Sequence, residues 1–576
     1  MKRWMKYVRP YLPYFIIGPL CMIVEVIGEV VMPKLLSVVI NRANEGVLTV
    51  GNSLWIMVGM VCTALLMMAG GVGGAYFGAK ASVNFAADLR SDAYAKVQKY
   101  SFANIDKFST GSLVTRLTND VTQLQNFVNM LLRMALRAPG MMIAALIMAI
   151  AIRPSLSTVF LVSMPVMLAV VGLLISKGFP RFSRMQQKID GLNSTVQENI
   201  TNVRVVKSFV REEHETKKFR QANRELKDAG MSAMKIMIFM QPVTTLFMNL
   251  TVLVVILLGG RIVLNGDMPV GDLSAMITYV TQILMSLMMV TMLLMISSRA
   301  MASARRITEV LDEKVDLDDA NAAQPDRLVT EGAVEFRNVS FRYYKHSEGQ
   351  VLDHINLSIP AGATVGIIGS TGCGKTTLVS LIARLYDADE GEVLVDGVNV
   401  KDYSLRHLRD GVGMVLQKNT LFSGSIAENL RWGNEDATDE QVQTAAAHAQ
   451  ADKFIDTFPQ GYNTMLEQGG TNVSGGQKQR LCIARALLKK PKIHILDDST
   501  SAVDTATEAQ IRRAFREDLT GSTKIIIAQR ISSVQEADQI IVMDEGKITG
   551  VGTHAQLLAD NEEYREIYYS QMEKEA

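Results

Sequence analysis

Six apolar stretches before residue 300 limit what this chain can fold into. They cover residues 12–31, 54–77, 131–152, 156–175, 243–260 and 273–298. A helix needs roughly 20 mostly apolar residues to cross a bilayer, and each stretch is near that length. The third is the least clean, because Arg133 and Arg137 sit in its first turns. The connections after the first, third and fifth stretches are the shorter ones. Those after the second and fourth are long and rich in Lys, Arg, Asp and Glu. Positive charge gathers on the cytoplasmic side of spanning helices, so the long loops and the N-terminus are expected to face the cytoplasm. Six helices buried in a soluble core would not need this charge alternation. Lys2, Arg3, Lys6 and Arg9 precede the first stretch, and Glu25 and Glu29 interrupt it. No small-residue cleavage site follows, so the expectation is a retained span and not a cleaved signal.

The long loops still read as helix. Residues 90–97 and 212–225 are rich in helix formers and lack proline. Long helices would then extend into the cytoplasm and turn back near residues 104–108 and 206–209. Each turn either sets a short helix against a cytosolic domain or is a solvated connector. A net charge of +1 gives no reason to expect a nucleic-acid partner. Cys21, Cys62, Cys373 and Cys482 show no pairing or metal-ligand spacing, which suits free thiols in a reducing compartment.

After a polar, acidic stretch at 312–326, strands and helices alternate. The strand-like run 363–368 feeds Gly369-Ser370-Thr371-Gly372-Cys373-Gly374-Lys375-Thr376, a match to the Walker A loop. Glycines let backbone N–H groups converge on phosphate oxygens, and a helix starting near Lys375 points its positive end at them. Lys375 would reach the outer phosphates of ATP, the Thr376 hydroxyl would bind Mg²⁺, and Thr377 follows in the same turn. A second apolar strand, 493–497, ends in Asp497, a further metal-side group of the Walker B kind. Tyr343 is placed either to stack on adenine or as an ordinary strand aromatic. Gln417 follows the apolar run 412–416, within reach of Mg²⁺ and the attacking water. Ser474, Gly475, Gly476 and Gln477 precede a basic helix at 478–490 and make a second phosphate grip from a hydroxyl, glycine amides and a helix N-terminus.

With these motifs in this order, the chain resembles a half-transporter of the ATP-binding cassette (ABC) exporter family over nearly its whole length. The resemblance implies an all-α membrane domain of six helices with long cytoplasmic extensions at 1–310, and a linker at 311–330. An α/β P-loop nucleotide-binding domain would follow at 331–576. It implies two halves joined head to tail in a bacterial cytoplasmic membrane. ATP and Mg²⁺ would then lie between Walker A of one half and the signature loop of the other. Residues 473–477 are that signature, with Val473 in place of the usual leucine. Gln468 stands where a glutamate is often found. The loop 499–504, ending in Asp504, would communicate across the dimer.

Two positions depart from the family pattern in a way that matters. Asp498 occupies the site of the glutamate that holds the attacking water, and Gln529 that of a switch histidine. A carboxylate one methylene shorter retreats by roughly 1.5 Å, one carbon–carbon bond, and misplacement of about 1 Å can cost on the order of 100-fold in rate. Gln529 can hydrogen-bond but carries no charge. The expected product is a site that binds ATP and splits it slowly. This resembles the degenerate half of heterodimeric bacterial multidrug exporters, whose partner half supplies the working catalytic groups. Substrates would be small amphipathic compounds. Glu25 and Glu29, one helical turn apart, either select cations or pair with a residue such as Lys34. Met285, Met288, Met292 and Met295 recur at helical spacing, as a packing stripe or as a flexible apolar surface for substrate.

Overall fold

The computed structural model describes residues 2–47, 50–320, 322–343, 349–498 and 505–575. They fall into two compact units. One joins Met1–Gln98 to Gly111–Asp312, the other Lys99–Thr110 to Glu313–Ala576.

The first unit is helical. Its spans lie in Leu12–Asn44, Val50–Gln98, Arg137–Ile152, Pro154–Thr201, Glu212–Leu264 and Val270–Asp312, and six helical stretches of the described residues are long and apolar enough to cross a bilayer. Helices of 48 and 53 residues, Pro154–Thr201 and Glu212–Leu264, exceed the roughly 20 that crossing requires. The surplus is their charged half. The third span differs from a single run over 131–152. A preceding helix, Val121–Met134, stops at a turn over 135–136, and a new one starts at Arg137. Pro139 explains the break, because it has no N–H to donate to the carbonyl of Ala135 yet is tolerated in the first turn of a new helix.

The helices pack around Met141, Ala145, Ala149, Phe160, Tyr279 and Ile283, all buried. The Tyr279 hydroxyl, buried among them, donates to the Val30 carbonyl at 2.8 Å. The first and second spans approach closely because the second is glycine-rich where they meet. A Cβ on Gly70 would lie 2.8 Å from the Cys21 carbonyl oxygen. Small residues at such contacts are what lets helices associate in lipid.

Both of the turns expected on the cytoplasmic side carry a short helix, Phe102–Lys107 and Val203–Ser208. The first folds into the second unit. Ser101 caps it, Asn104 Nδ2 donates to the Lys314 carbonyl at 2.8 Å, and the Tyr386 hydroxyl donates to Asp106 at 2.8 Å. It is therefore not a solvated connector. The second stays in the first unit with Val205, Phe209 and Val210 exposed. The stretch expected as linker makes hydrogen bonds to backbone groups of the second unit. The helix runs on to Asp312, then the Gln324 amide donates to the Asp402 carbonyl and the Leu405 amide to Asp319.

In the second unit, five parallel strands lie in the order Gln539–Asp544, Thr364–Gly369, Thr523–Ile527, Ile493–Asp497, Val412–Val415. Lys547–Gly552 adds an antiparallel edge beside Gln539–Asp544. A separate antiparallel sheet holds Leu352–Ile359, Val334–Phe341, Glu390–Val395 and Val398–Asn399. Parallel strands covered on both faces read as continuous apolar runs, and Ile493–Asp497 is buried at every position. Register does the rest. Ile527 pairs with both Asp497 and Ile367, so the turns after three strands emerge along one sheet edge, where ligands of such sheets bind.

Candidate nucleotide site and membrane cavity

The Walker A loop is shaped by backbone needs before any ligand. Gly372 and Gly374 have φ of +88° and +99°, and a Cβ on Gly369 would collide with the Met543 carbonyl. The helix Lys375–Ile382 begins where expected. Lys375 Nζ folds back onto its own loop, donating to the carbonyls of Gly369 and Ser370 at 2.8 and 2.7 Å. Ser370 donates to Asp544 at 2.8 Å. Thr371, Gly372 and Thr376 are exposed, whereas Cys373, Gly374 and Thr377 are buried.

The Thr376 hydroxyl donates to Asp497 Oδ1 at 3.0 Å. Asp497 is buried, and its Oδ2 has no hydrogen-bond partner among the described residues. Burial pushes its carboxyl above the usual range, and Asp498 adds to that; the Thr376 bond and Lys375 pull the other way. A hydroxyl beside a buried, half-satisfied carboxylate fits a hard divalent cation such as Mg²⁺. Bound there, Mg²⁺ would offset phosphate charge. The protein's share is to hold two oxygens at fixed positions beside the phosphate loop.

Asp498 sits in the left-handed region at φ +48°, which costs a non-glycine residue of order 1 kcal/mol. Its amide donates to the Ile527 carbonyl at 3.0 Å, and its carbonyl accepts from Gln479 at 3.2 Å. Gln529 Nε2 donates to Asp498 Oδ2 at 2.8 Å. Burial raises the Asp498 carboxyl, opposed first by that bond and then by Lys375 and Arg530. The side chains of Asp498 and Gln529 thus bond to each other. Gln479 was not foreseen, and its only signal is a buried amide side chain in the basic helix.

That helix runs Gly475–Leu488, starting three residues before the expected 478. Ser474 is its N-cap. The Gln477 amide donates to Ser474 Oγ, and Gln477 Oε1 accepts from the Ser474 amide at 2.9 Å. Gln477 is therefore spent on the cap in this state. Tyr343 places its hydroxyl 2.9 Å from Thr377 Oγ1, with its ring edge-on to Tyr386 at 5.2 Å. Phe341 meets the same ring edge-on at 5.0 Å, and the side chain is partly exposed. Gln417 is exposed two residues past the strand Val412–Val415. Asp504 and the loop 499–504 lie outside the described residues.

In the first unit, the glutamates pair with a basic residue other than Lys34. Lys34 bonds Asp272 at 2.8 Å. Arg137 takes both glutamates, Glu29 at 2.7 Å and Glu25 at 3.1 Å. The helix restart at Arg137 aims the guanidinium at two carboxylates one turn apart, and a single nitrogen, Nη2, reaches both. Glu29 and Arg137 line a cavity of about 380 Å³ with Met67, Gln282, Met285 and Met289. Glu25 Oε2 and Gln282 Oε1 are buried acceptors without a partner among the described residues. Of the methionine stripe, Met285 lines the cavity, Met288 packs on the helical core and Met292 is exposed elsewhere.

Comparison with known proteins fits this arrangement. The ABC transporter transmembrane region family matches residues 15–287, and the ABC transporter family matches 352–501. An uncharacterized ABC transporter ATP-binding protein of Bacillus subtilis is 37% identical over 100% of this chain and 99% of its own. A fatty acid ABC transporter ATP-binding/permease protein of Mycobacterium tuberculosis is 35% identical over 84% of this chain and 75% of its own. The structure of a bacterial Atm1-family ABC exporter with ATP bound superposes with a TM-score of 0.80 at 25% identity, covering 97% of this chain and 98% of that one. The chain belongs to the ABC transporters, as an exporter half-transporter that carries its membrane region and its ATP-binding domain in one polypeptide.

Proposed function

We propose that this chain is the degenerate-site half of a heterodimeric exporter in the bacterial cytoplasmic membrane, moving amphipathic or hydrophobic compounds of the multidrug type. The observation that carries the reading is the Gln529–Asp498 hydrogen bond. An uncharged amide occupies the carboxylate oxygen that would have to orient water, on a side chain already one methylene short. The ground-state grip of Lys375, Thr376 and Asp497 stays intact, so binding outlasts chemistry at this site. The signature loop serves the other half. A Cβ on Gly475 would meet nothing within 4 Å among the described residues, so a glycine there suits close approach by a phosphate from outside. Both sites close on ATP, the partner's site hydrolyses, and the cavity alternates between two access states.

The test is steady-state ATPase activity of the purified chain in lipid nanodiscs, alongside Lys375→Ala and the double variant Asp498→Glu/Gln529→His. Near-background activity in the unmodified chain, raised at least tenfold by the double variant, supports the reading. Robust turnover abolished by Lys375→Ala overturns it in favour of a homodimer. The fatty acid transporter relative and the presence of Arg137 in the cavity favour a second reading, a lipid exporter that takes an acyl carboxylate. Competition between a fatty acid and an amphipathic ammonium compound for transport into inverted vesicles separates the two.

A further inference from the structure

We propose that Gln571, on the helix Glu562–Glu575, is a positioning residue for the ATP site, holding Gln529 where it meets the outer phosphate. The proposal rests on the reading of Asp498 and Gln529 as the hydrolytic positions. Gln571 uses both ends of its amide on the backbone that flanks Gln529. Its Nε2 donates to the Gln529 carbonyl at 2.7 Å, and its Oε1 accepts from the Ile531 amide at 2.9 Å. Gln529 in turn donates to Asp498. One side chain 42 residues further along the chain therefore fixes the direction in which the switch side chain leaves the sheet.

The helix is built to hold that position. Tyr564 is fully buried in a cluster with Ile368, Ala528, Ile531 and Leu557, and its hydroxyl lies 2.7 Å from His554 Nδ1. Ala528 and Ile531 flank the switch, so the cluster that anchors the helix also anchors the turn. On the turn's far side, Ser533 donates to Glu508 at 2.5 Å and Arg512 bonds the Ser532 carbonyl. The residues after Ile531 are thus held by the helix Thr505–Asp518; before it, the Ala528 amide is held by the Ile367 carbonyl and the Gln529 carbonyl by Gln571. Shifting a reacting group by about 1 Å is costly in a preorganised site, and a bidentate amide fixes two backbone positions at once.

The experiment compares affinities of full-length Gln571→Ala, Gln529→Ala and the double variant in nanodiscs, for Mg²⁺ with the non-hydrolysable ATP analogue AMP-PNP and for Mg²⁺ with ADP. Only the triphosphate presents a group to Gln529. Gln571→Ala is expected to weaken AMP-PNP about fivefold and leave ADP within twofold. The double variant is expected to match Gln529→Ala, because residues acting through one contact are not additive. Amide hydrogen exchange at Ile531 should rise in Gln571→Ala but stay slow in Gln571→Glu, which keeps the acceptor and loses the donor. Equal losses for AMP-PNP and ADP, or additive losses in the double variant, would overturn the proposal, because both mean a general structural role. So would an unchanged AMP-PNP to ADP ratio in Gln571→Ala beside a changed one in Gln529→Ala; that result leaves the degenerate-site reading standing. Fast ATP turnover by the unmodified chain would remove the degenerate-site reading without touching this ratio.

Discussion

Among the described residues, Asp497 beside the phosphate loop and Glu25 in the membrane unit each carry a buried carboxylate oxygen without a hydrogen-bond partner. Their surroundings differ in one respect. Asp497 is bonded by a neutral hydroxyl, Thr376, and its nearest cation, Lys375, is folded onto its own loop. Glu25 shares a resident cation, Arg137, with Glu29. The first arrangement would take a cation from solution, and the second already holds one between two carboxylates. In water this difference would matter little. In an apolar environment an unpaired charge costs several kcal/mol, so the membrane site must carry its counter-ion through every state, whereas the nucleotide site can release its own.

The contrast breaks most sharply at Arg137. Replacing it with Met leaves two carboxylates unpaired among apolar helices, and removing one partner of a buried pair costs about 3–5 kcal/mol. Arg137→Met should lower the yield of folded protein and the melting temperature in detergent. The triple variant Glu25→Gln/Glu29→Gln/Arg137→Met should recover most of that loss. Equal instability of the single and triple variants would show that Arg137 matters for packing and not for charge.

His494 sharpens the comparison as a buried base with no counter-ion among the described residues. It lies on the strand that ends in Asp497, its Nε2 lacks a partner among the described residues, and burial pushes its pKa down to about 4, with Lys524 adding to the effect. The unfolded chain titrates near 6.5. Between those values the unfolded state binds more protons, so stability rises with pH. It is fully present above about 6.5 and lost as pH falls towards 4. A shift of this size is worth up to about 3 kcal/mol at 1.36 kcal/mol per unit. Chemical unfolding followed by the nucleotide-binding unit's signal should show this slope between pH 6.5 and 4, and His494→Leu should flatten it.

At the nucleotide site the expected effect is smaller. Thr376→Ala removes one hydroxyl that the cation would use, and about 1.4 kcal/mol, or tenfold, in Mg²⁺-dependent ATP affinity is expected. Binding of ATP in the presence of a chelator should not change. A loss of the same size with and without Mg²⁺ would place Thr376 in phosphate binding and leave the metal to other groups.

How far each centre could be read from the sequence follows from how each is encoded. The phosphate loop shapes its own backbone through Gly372 and Gly374, and its helix starts at Lys375 whatever the rest of the chain does. Strand register then brings Asp497 alongside. Local signals suffice for both, as apolar length suffices for the spans. Arg137 carries no such signal. It read as a flaw in the third span, and its role appears only where Pro139 restarts the helix and three segments meet. Gln571 and Gln479 escaped for the same reason, since each acts on backbone 42 and 19 residues away. Lys34 was the nearer partner in sequence for Glu29, but Asp272 from the last span holds it.

The smallest effect bears on what the cavity accepts. With Arg137 bound by two carboxylates, the triad keeps one net negative charge beside methionine walls that adapt to many apolar shapes. Glu29, on the cavity wall, is the carboxylate that an ammonium ion there would meet. Glu29→Gln should therefore raise the KM for amphipathic cations about fivefold, roughly 1 kcal/mol, and leave neutral compounds of the same size unchanged. A uniform rise would mean that Glu29 only holds Arg137 in place. A gain in fatty acid transport would mean that the freed guanidinium is the binding group, and the lipid reading would then displace the multidrug one.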